Sequence, residues 1–465
     1  MTADPHASRR AVDVRRSTAI AASREALWSW HAAPGAFERL TPPWERVEVL
    51  ERSGPLAAGS TVTLRISRGP LRLVWRLKHP MVEPGRGFRD VQLAGPFTSW
   101  QHDHRFDDHE VGSLLTDAIA AELPGGALGK AIAGKYLRRQ LDQLLAYRHD
   151  ITRGDLEQFH AEPMTPMRIA ITGATGLIGS ALTPYLTAQG HTLIPVSRHP
   201  IAGGIRWDPA RGELDAPALE GLDAVIHLAG ENLAGARWSP HRKRALLDSR
   251  TTPTSLLATR LAALRQPPRV LISASAVGYY GDAGDARLTE EAPAGSDFLG
   301  TLAAAWEDAA APARTAGIRV VHPRFGVVLS PRGGALAKLL LPFRLGLGGP
   351  LGSGSQWLSW IGIDDLLGVL HHLLHSAAIE GPVNTATPFP VTNADFTRTL
   401  ARVLRRPAIL PVPAPALRLA LGEMADATLL ASQRVVPGVL TDSSYRWRHG
   451  DLEGALRHLL GRRAP

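Results

Sequence analysis

Two stretches of the chain concentrate residues that could do chemistry. In the first, Thr172-Gly173-Ala174-Thr175-Gly176-Leu177-Ile178-Gly179 follows the apolar run Ile169, Ala170 and Ile171. A helical pattern comes next, ended by Gly190, and then a second apolar strand over residues 192–196. Strand, glycine loop, helix, strand is the context in which such glycine spacing points to a bound dinucleotide. Gly173 permits a tight turn, Gly176 lets backbone approach a pyrophosphate, and Gly179 lets the helix pack close. The helix N-terminus offers free N–H groups and a positive dipole end to phosphates. The second stretch, residues 100–110, carries His102, His104 and His109 among Asp103, Asp107 and Asp108. Strand alternation places Trp100, His102, His104 and Phe106 on one face. Histidines at i and i+2 can share a metal. The aromatic neighbours instead favour a core or cavity face, and Asp107-Asp108 reads as a hairpin turn, so no metal is expected.

The strand after the glycine helix ends in Ser197-Arg198-His199, and no carboxylate follows until Asp208. Arg198 lies about 20 residues past Gly179, where such folds place the group that meets the adenine ribose. An acidic residue there binds the 2′-OH of NAD, whereas a guanidinium pairs with the 2′-phosphate of NADP. NADP(H) is therefore expected over NAD(H). The alternative for Arg198 is a surface arginine at a strand end.

These residues need elements to hold them. Residues 151–166 are polar, contain two prolines and directly precede the first apolar strand. The dinucleotide fold thus starts mid-chain, and what precedes it is a separate domain. That domain reads as α+β. It has a short helix over residues 23–30 and alternating runs over 61–66, 71–77, 88–93, 98–106 and 113–122. A long amphipathic helix over 127–149 closes it, with Leu137, Leu141, Leu144 and Leu145 on one face.

Composition sets the bounds. A chain of 465 residues, 44% hydrophobic and 20% charged, is expected to form about 2–4 domains. No apolar run approaches the ~18 residues of a membrane span. Residues 1–14 are charged without an apolar stretch, which reads as a disordered leader and not as a secretory signal. The absence of cysteine excludes disulfides and thiol chemistry and fits a cytoplasmic location. The net charge of +9 comes without a dense Lys/Arg block interleaved with aromatics, so no nucleic-acid partner is expected.

From Met167 onward the chain resembles an extended short-chain dehydrogenase/reductase. TGATGLIG opens the resemblance. The strand DAVIHLAG follows, whose Leu228, Ala229 and Gly230 would pass the cofactor. RVLISASAVGYY comes next, with Ser273, Ser275 and Tyr280 at the expected substrate-binding and catalytic end. Pro323-Arg324-Phe325-Gly326 falls where the family runs under the nicotinamide, and WIGIDDL carries an acidic pair. The strings LAGENLAGARWSPHRKRALLDSR, SASAVGYYGD and PVPAPALRLALGEMA are similar to the epimerase-like subgroup of the YfcH type. The resemblance implies a Rossmann doubly wound parallel sheet with a small C-terminal substrate part. It also implies cofactor contacts from Thr172, Gly173, Thr175, Gly176, Leu177, Ile178, Gly179, Arg198, Leu228, Ala229, Gly230 and Arg324. The family's usual Tyr and Lys would fall at Phe298 and Leu302, which have neither hydroxyl nor charge. Tyr279 and Tyr280, or Lys243 and Arg250, are the imaginable replacements. The N-terminal domain, with WHAAPGAFERLTPPWE, resembles the START-like, polyketide-cyclase-like helix-grip fold, whose cavity implies an apolar ligand.

The expected organisation is a leader 1–14, a helix-grip domain 15–152, a linker 153–166, a nucleotide-binding domain 167–412 and a C-terminal part 413–462 of no assigned role. Residues 346–354 form a glycine-rich loop that reads as a lid over the site. The expected function is an NADP(H)-dependent oxidoreductase or epimerase acting on a small molecule. The alternatives are an NADP(H) sensor without catalysis and a carrier of apolar ligand. The oligomeric state stays open.

Overall fold

The structure is a computed structural model that describes residues 11–199, 203–233 and 235–462. The expected leader falls outside the described residues up to position 10, and from Ala11 the chain is already a strand. Two compact units divide the chain. The first is residues 1–164 with 187–189 and 460–465; the second is residues 165–186 and 190–459.

In the first unit, β1 (Ala11–Ile20), β2 (Arg46–Arg52), β3 (Thr61–Arg68), β4 (Leu71–Glu83), β5 (Gly87–Ala94), β6 (Ser99–His109) and β7 (Gly112–Glu122) form one antiparallel sheet. Its order is β1-β7-β6-β5-β4-β3-β2. Helix α1 (Arg24–Ala32) starts at Ser23, whose hydroxyl accepts the Ala26 N–H at 3.1 Å, as an N-cap should. It is followed by α2 (Ala36–Arg39) and, after the sheet, by α3 (Gly126–Ala161). The inward sheet positions Val12, Val14, Val62, Leu64, Leu77, Trp100 and Ile119 pack against Leu141 and Leu145 of α3. At the other end Leu27 and Trp30 of α1 meet Phe88, Phe106, Tyr147 and Ile151.

Three sequence expectations are corrected here. Strands β1 and β2 lie outside the expected runs: β1 begins inside the stretch read as leader, although its burial alternates, and β2 has no buried position. The helix does not stop near residue 150 but runs through Ala161, taking up much of the expected linker. Its polar face turns inward: Asp155, fully buried, accepts two bonds from Arg39, at 2.8 and 2.9 Å. Asp107 and Asp108 belong to β6, and the hairpin turns at residues 110–111.

The second unit begins β8 (Arg168–Thr172), α4 (Leu177–Thr187), β9 (Thr192–Ser197), β10 (Ile205–Asp208) and β11 (Glu213–Leu214). It continues β12 (Ala224–His227), α5 (Pro240–Ala262), β13 (Val270–Ser273), β14 (Ser275–Ala276), β15 (Arg287–Leu288), α6 (Phe298–Asp308), α7 (Ala311–Thr315) and β16 (Arg319–Phe325). The main sheet runs β10-β9-β8-β12-β13-β16, and the strand Gly381–Thr385 pairs beyond β16. All these pairings are parallel. Strands buried on both faces read as continuous apolar runs, and β12 and β13 are buried throughout. Leu257, Ala258 and Leu261 of α5 close one face over Val225, Leu271 and Val320. Sequence neighbours diverge in the sheet between β8 and β12. Open α/β sheets bind ligands at such a switch point, beyond the carboxyl ends of the strands.

Candidate functional site

The glycine loop sits at that switch point. Gly173 has φ +68°, and a Cβ there would lie 2.9 Å from the carbonyl of Leu228 at the end of β12. Gly179 is more confined: a Cβ would stand 2.2 Å from the Gly173 oxygen. Its absence lets the helix press onto the loop itself rather than onto the strand. Gly176 differs from both. A Cβ would meet only the Gly173 oxygen, at 3.3 Å, and the residue is exposed together with Thr175. Leu177 and Ile178 open α4 half-buried. The first N–H groups of this helix precede any intrahelical acceptor, so the loop presents donors on an open face.

Thr172 does not share that face. It is fully buried, and its hydroxyl accepts the backbone N–H groups of Leu228 and Ala229, each at 3.1 Å. With both lone pairs used, it donates to His227 Nδ1 at 2.7 Å. His227 Nε2 then carries the hydrogen and donates to Thr254 at 3.0 Å. Burial pushes His227 down to about 4, so it is neutral. Thr172 thus fixes Leu228 and Ala229, both half-buried, and leaves Gly230 exposed beside the loop.

At the ends of β13 and β14 the expected hydroxyls are buried. The Ser273 hydroxyl has no hydrogen-bond partner among the described residues. Ser275 donates to Glu307 at 2.6 Å. Glu307 also accepts both arms of Arg324, each at 2.8 Å. Arg324 donates further to the Tyr280 hydroxyl at 2.9 Å, which donates to Asn384 at 2.6 Å. Burial works against the charge on Arg324, but Glu307 outweighs it and holds the guanidinium above its ordinary value. The same burial pushes Tyr280 up to about 12. Tyr279 lies with its ring centre 3.4 Å from the guanidinium carbon. Arg324, expected as a cofactor contact, is 2% exposed and wholly engaged inside. It joins Ser275, Tyr280 and Glu307 in a network that ties β14, β16 and α6 together. Glu307 and Asn384 were not foreseen, because only the fold brings them to Arg324.

Phe298 and Leu302 lie on α6 in an apolar cluster with Leu228, Leu246, Trp238, Trp306 and Phe325. Lys243 stands over the Phe298 ring at 5.1 Å and pairs with Glu423. Arg250 is buried rather than on a solvated face. It donates to the carbonyls of Leu246 at 3.1 Å and Glu231 at 2.8 Å, and burial lowers it to about 10. A Cβ on Gly230 would sit 3.6 Å from its guanidinium, so Arg250 backs the segment beside the glycine loop. Arg198 is exposed just beyond β9 and has no ion pair among the described residues.

The acidic pair has its partners in the C-terminal segment, and the glycine-rich loop is held in place rather than free. Asp365 accepts the backbone N–H groups of Arg448 at 2.6 Å and His449 at 3.1 Å, and Asp364 meets His458 at 3.1 Å. The pair thus docks the C-terminal segment. Burial pushes Asp365 up to about 6. The loop 346–354 is no free lid. Its backbone is bonded to residues 410–412, Leu410 to Gly348 and Val412 to Pro350, and a Cβ on Gly349 would strike the Leu410 oxygen.

In the first unit the sheet and α3 enclose a cavity of about 780 Å³. Leu64, Leu77, Trp75 and Trp100 make its walls apolar, while Asp90, His102, His104 and Arg148 give it one polar region. His109 and Asp108 are exposed and Asp103 pairs with Arg89, so these expected companions of His102 and His104 lie elsewhere. Strand register supplies different ones: Asp90 stands opposite His102, and Asp117 opposite His104. Burial lowers His102 to about 4. For His104 the two carboxylates, Asp117 foremost, outweigh burial and raise it to about 9.

Residues 20–147 match the family described as polyketide cyclase / dehydrase and lipid transport. Residues 169–385 match the NAD dependent epimerase/dehydratase family, and residues 412–459 match a domain of unknown function, DUF1731. Epimerase family protein Mb2239 of Mycobacterium bovis is 44% identical over 290 residues, 62% of this chain and 96% of the relative. The crystal structure of a nucleoside-diphosphate sugar epimerase from Corynebacterium glutamicum aligns with TM-score 0.80 at 36% identity. It covers 96% of this chain and 90% of that one. The human epimerase family protein SDR39U1, crystallised with NADPH, aligns with TM-score 0.58 at 38% identity over 63% of this chain and 99% of its own. Fold and loop define a Rossmann-type domain of the epimerase class. The chain belongs to the NAD dependent epimerase/dehydratase family, among epimerase family proteins of the SDR39U1 kind, with a polyketide-cyclase-like domain in front. No helix among the described residues is long and apolar enough to cross a membrane.

Proposed function

We propose that the second unit binds NADP(H) on the glycine loop and uses it in an oxidoreductase or epimerase reaction on a small molecule. The observation that carries this reading is the open face formed by Thr175, Gly176 and the start of α4 at the sheet's switch point. Exposed Arg198 supplies the preference for a 2′-phosphate, and the NADPH in the human relative's structure supports the same nucleotide. Ser275 and Tyr280 enter as parts of the Arg324 network that fixes the strand ends near the nicotinamide side. A second reading, nucleotide binding without turnover, is favoured by Phe298 and Leu302, which sit in an apolar cluster and have neither hydroxyl nor charge.

Calorimetric titration of the purified chain with NADPH and NADH tests the proposal. NADPH is expected to bind more tightly, and failure to bind either would overturn it. Hydride transfer to any carbonyl in a substrate panel would separate the first reading from the second.

A further inference from the structure

The polar region of the helix-grip cavity is built like a metal site. His102 and His104 are i and i+2 on β6 and face inward together. Asp90 of β5 reaches both: its Oδ2 lies 3.4 Å from His104 Nε2 and 3.8 Å from His102 Nδ1. The three ligand atoms all lie within 4.8 Å of one another. A tetrahedral ion with bonds of about 2.0–2.1 Å separates its ligands by about 3.4 Å, close to the two carboxylate–histidine separations here. All three residues line the cavity.

Behind them stands the support that metal ligands require. The far ring nitrogens turn to one buried carboxylate, Asp117 Oδ1, at 2.7 Å from His104 Nδ1 and 3.6 Å from His102 Nε2. The other oxygen of Asp117 meets His149 Nε2 at 3.1 Å, and the other oxygen of Asp90 meets His79 Nε2 at 2.9 Å. Carboxylates behind ligating histidines fix ring orientation and raise basicity. Phe88 stacks on His104 with centroids 4.1 Å apart and Trp100 stands edge-on to His102, so the cluster is walled by apolar rings.

We propose that Asp90, His102 and His104 bind a divalent transition metal, zinc by ligand type. Its remaining coordination position faces the cavity. Two carboxylates balance the ion, and Arg148, lining the same cavity, adds a positive charge. The open position therefore suits an apolar molecule ending in an anionic oxygen. This inference does not depend on the nucleotide reading of the second unit.

The test uses the full chain, stripped with chelator and titrated with Co²⁺, whose visible bands report low-coordinate ligation. One equivalent is expected to give such bands. His102→Gln/His104→Gln should reduce uptake to background, whereas His109→Gln should leave it unchanged. Asp117→Asn, a positioning change, should weaken affinity by about 10–100-fold and shift the bands in a protein still folded by circular dichroism. Decanoate, but not decanol, should perturb the Co²⁺ spectrum. Should the double variant fail to fold, anomalous scattering at the zinc edge in soaked crystals of the parent decides. A peak between Asp90, His102 and His104 supports the site. Peaks only elsewhere, unchanged uptake by a folded double variant, or no stoichiometric binding by the parent would overturn it. Indifference to decanoate would overturn the assigned ligand class.

Discussion

Glu307 grips Arg324 with both carboxylate oxygens, each bond 2.8 Å, in a place where the two side chains are only 11% and 3% exposed. Removing one partner of a buried pair leaves an uncompensated charge and costs about 3–5 kcal/mol. Glu307→Gln is therefore expected to lower the melting temperature markedly, and urea unfolding measures the loss. A cost below about 1 kcal/mol would show that the fork does not hold α6 to β16.

Tyr280, a candidate replacement for the family's missing proton donor, is held in that network. Its hydroxyl donates to Asn384 and accepts from Arg324, and burial pushes it up to about 12. Tyr280→Phe should cost about 1–3 kcal/mol for the polar groups left unpaired, while NADPH affinity stays near parental. A variant of parental stability that lost turnover would return Tyr280 to the chemistry.

The three glycines of the loop separate by what a Cβ would meet. Gly173→Ala forces a side chain at φ +68° against the Leu228 carbonyl at 2.9 Å, so both stability and nucleotide binding should fall. Gly176→Val adds bulk on the exposed face, where only the Gly173 oxygen is near. Its melting temperature should stay close to the parent's while NADPH binding is lost. Parental affinity in Gly176→Val would mean that the loop serves only as a turn.

The contrast between loop and strand ends shows how much of this protein is legible in its sequence. The glycine spacing, the apolar strands and the alternation at His102 and His104 are local, and local periodicity carries them. Asp90 and Asp117 are different. Each becomes a neighbour of the histidines only through antiparallel register, twelve and thirteen positions away on β5 and β7. Glu307 and Asn384 reach Arg324 only once helix and sheet are packed. The polarity of the stretch around Asp155 reads as a solvated linker, whereas a partner 116 positions away, Arg39, lets it be buried. Buried polar residues with remote partners are the class that periodicity misreads.

Arg198 stands exposed beyond β9 with no carboxylate until Asp208, which pairs with Arg211. A charge-assisted phosphate contact is worth about 1.5–3 kcal/mol. Arg198→Ala should accordingly weaken NADPH binding by about ten- to hundredfold while leaving NADH nearly unchanged. Calorimetric titration with both nucleotides reads the ratio, and equal losses for the two would place the preference elsewhere.

His227 links the glycine loop to stability in acid. It is fully buried between the Thr172 and Thr254 hydroxyls, and burial pushes it down from 6.5 to about 4. In the unfolded chain an imidazole takes up a proton below about 6.5. Between 6.5 and 4 the unfolded state therefore binds more protons than the folded one, and stability falls as the pH falls. The contribution is fully present above 6.5 and is lost toward pH 4, by up to about 3 kcal/mol. His191, His322 and His449, also lowered to about 4, act in the same direction. His227→Gln cannot titrate, so its stability should decline less steeply over this range, by about one proton's worth of slope. Unfolding free energies measured at several pH values between 4.5 and 7 check this. A slope identical to the parent's would show that His227 is already charged in the folded protein, and its Nδ1 could then not accept the Thr172 hydroxyl hydrogen.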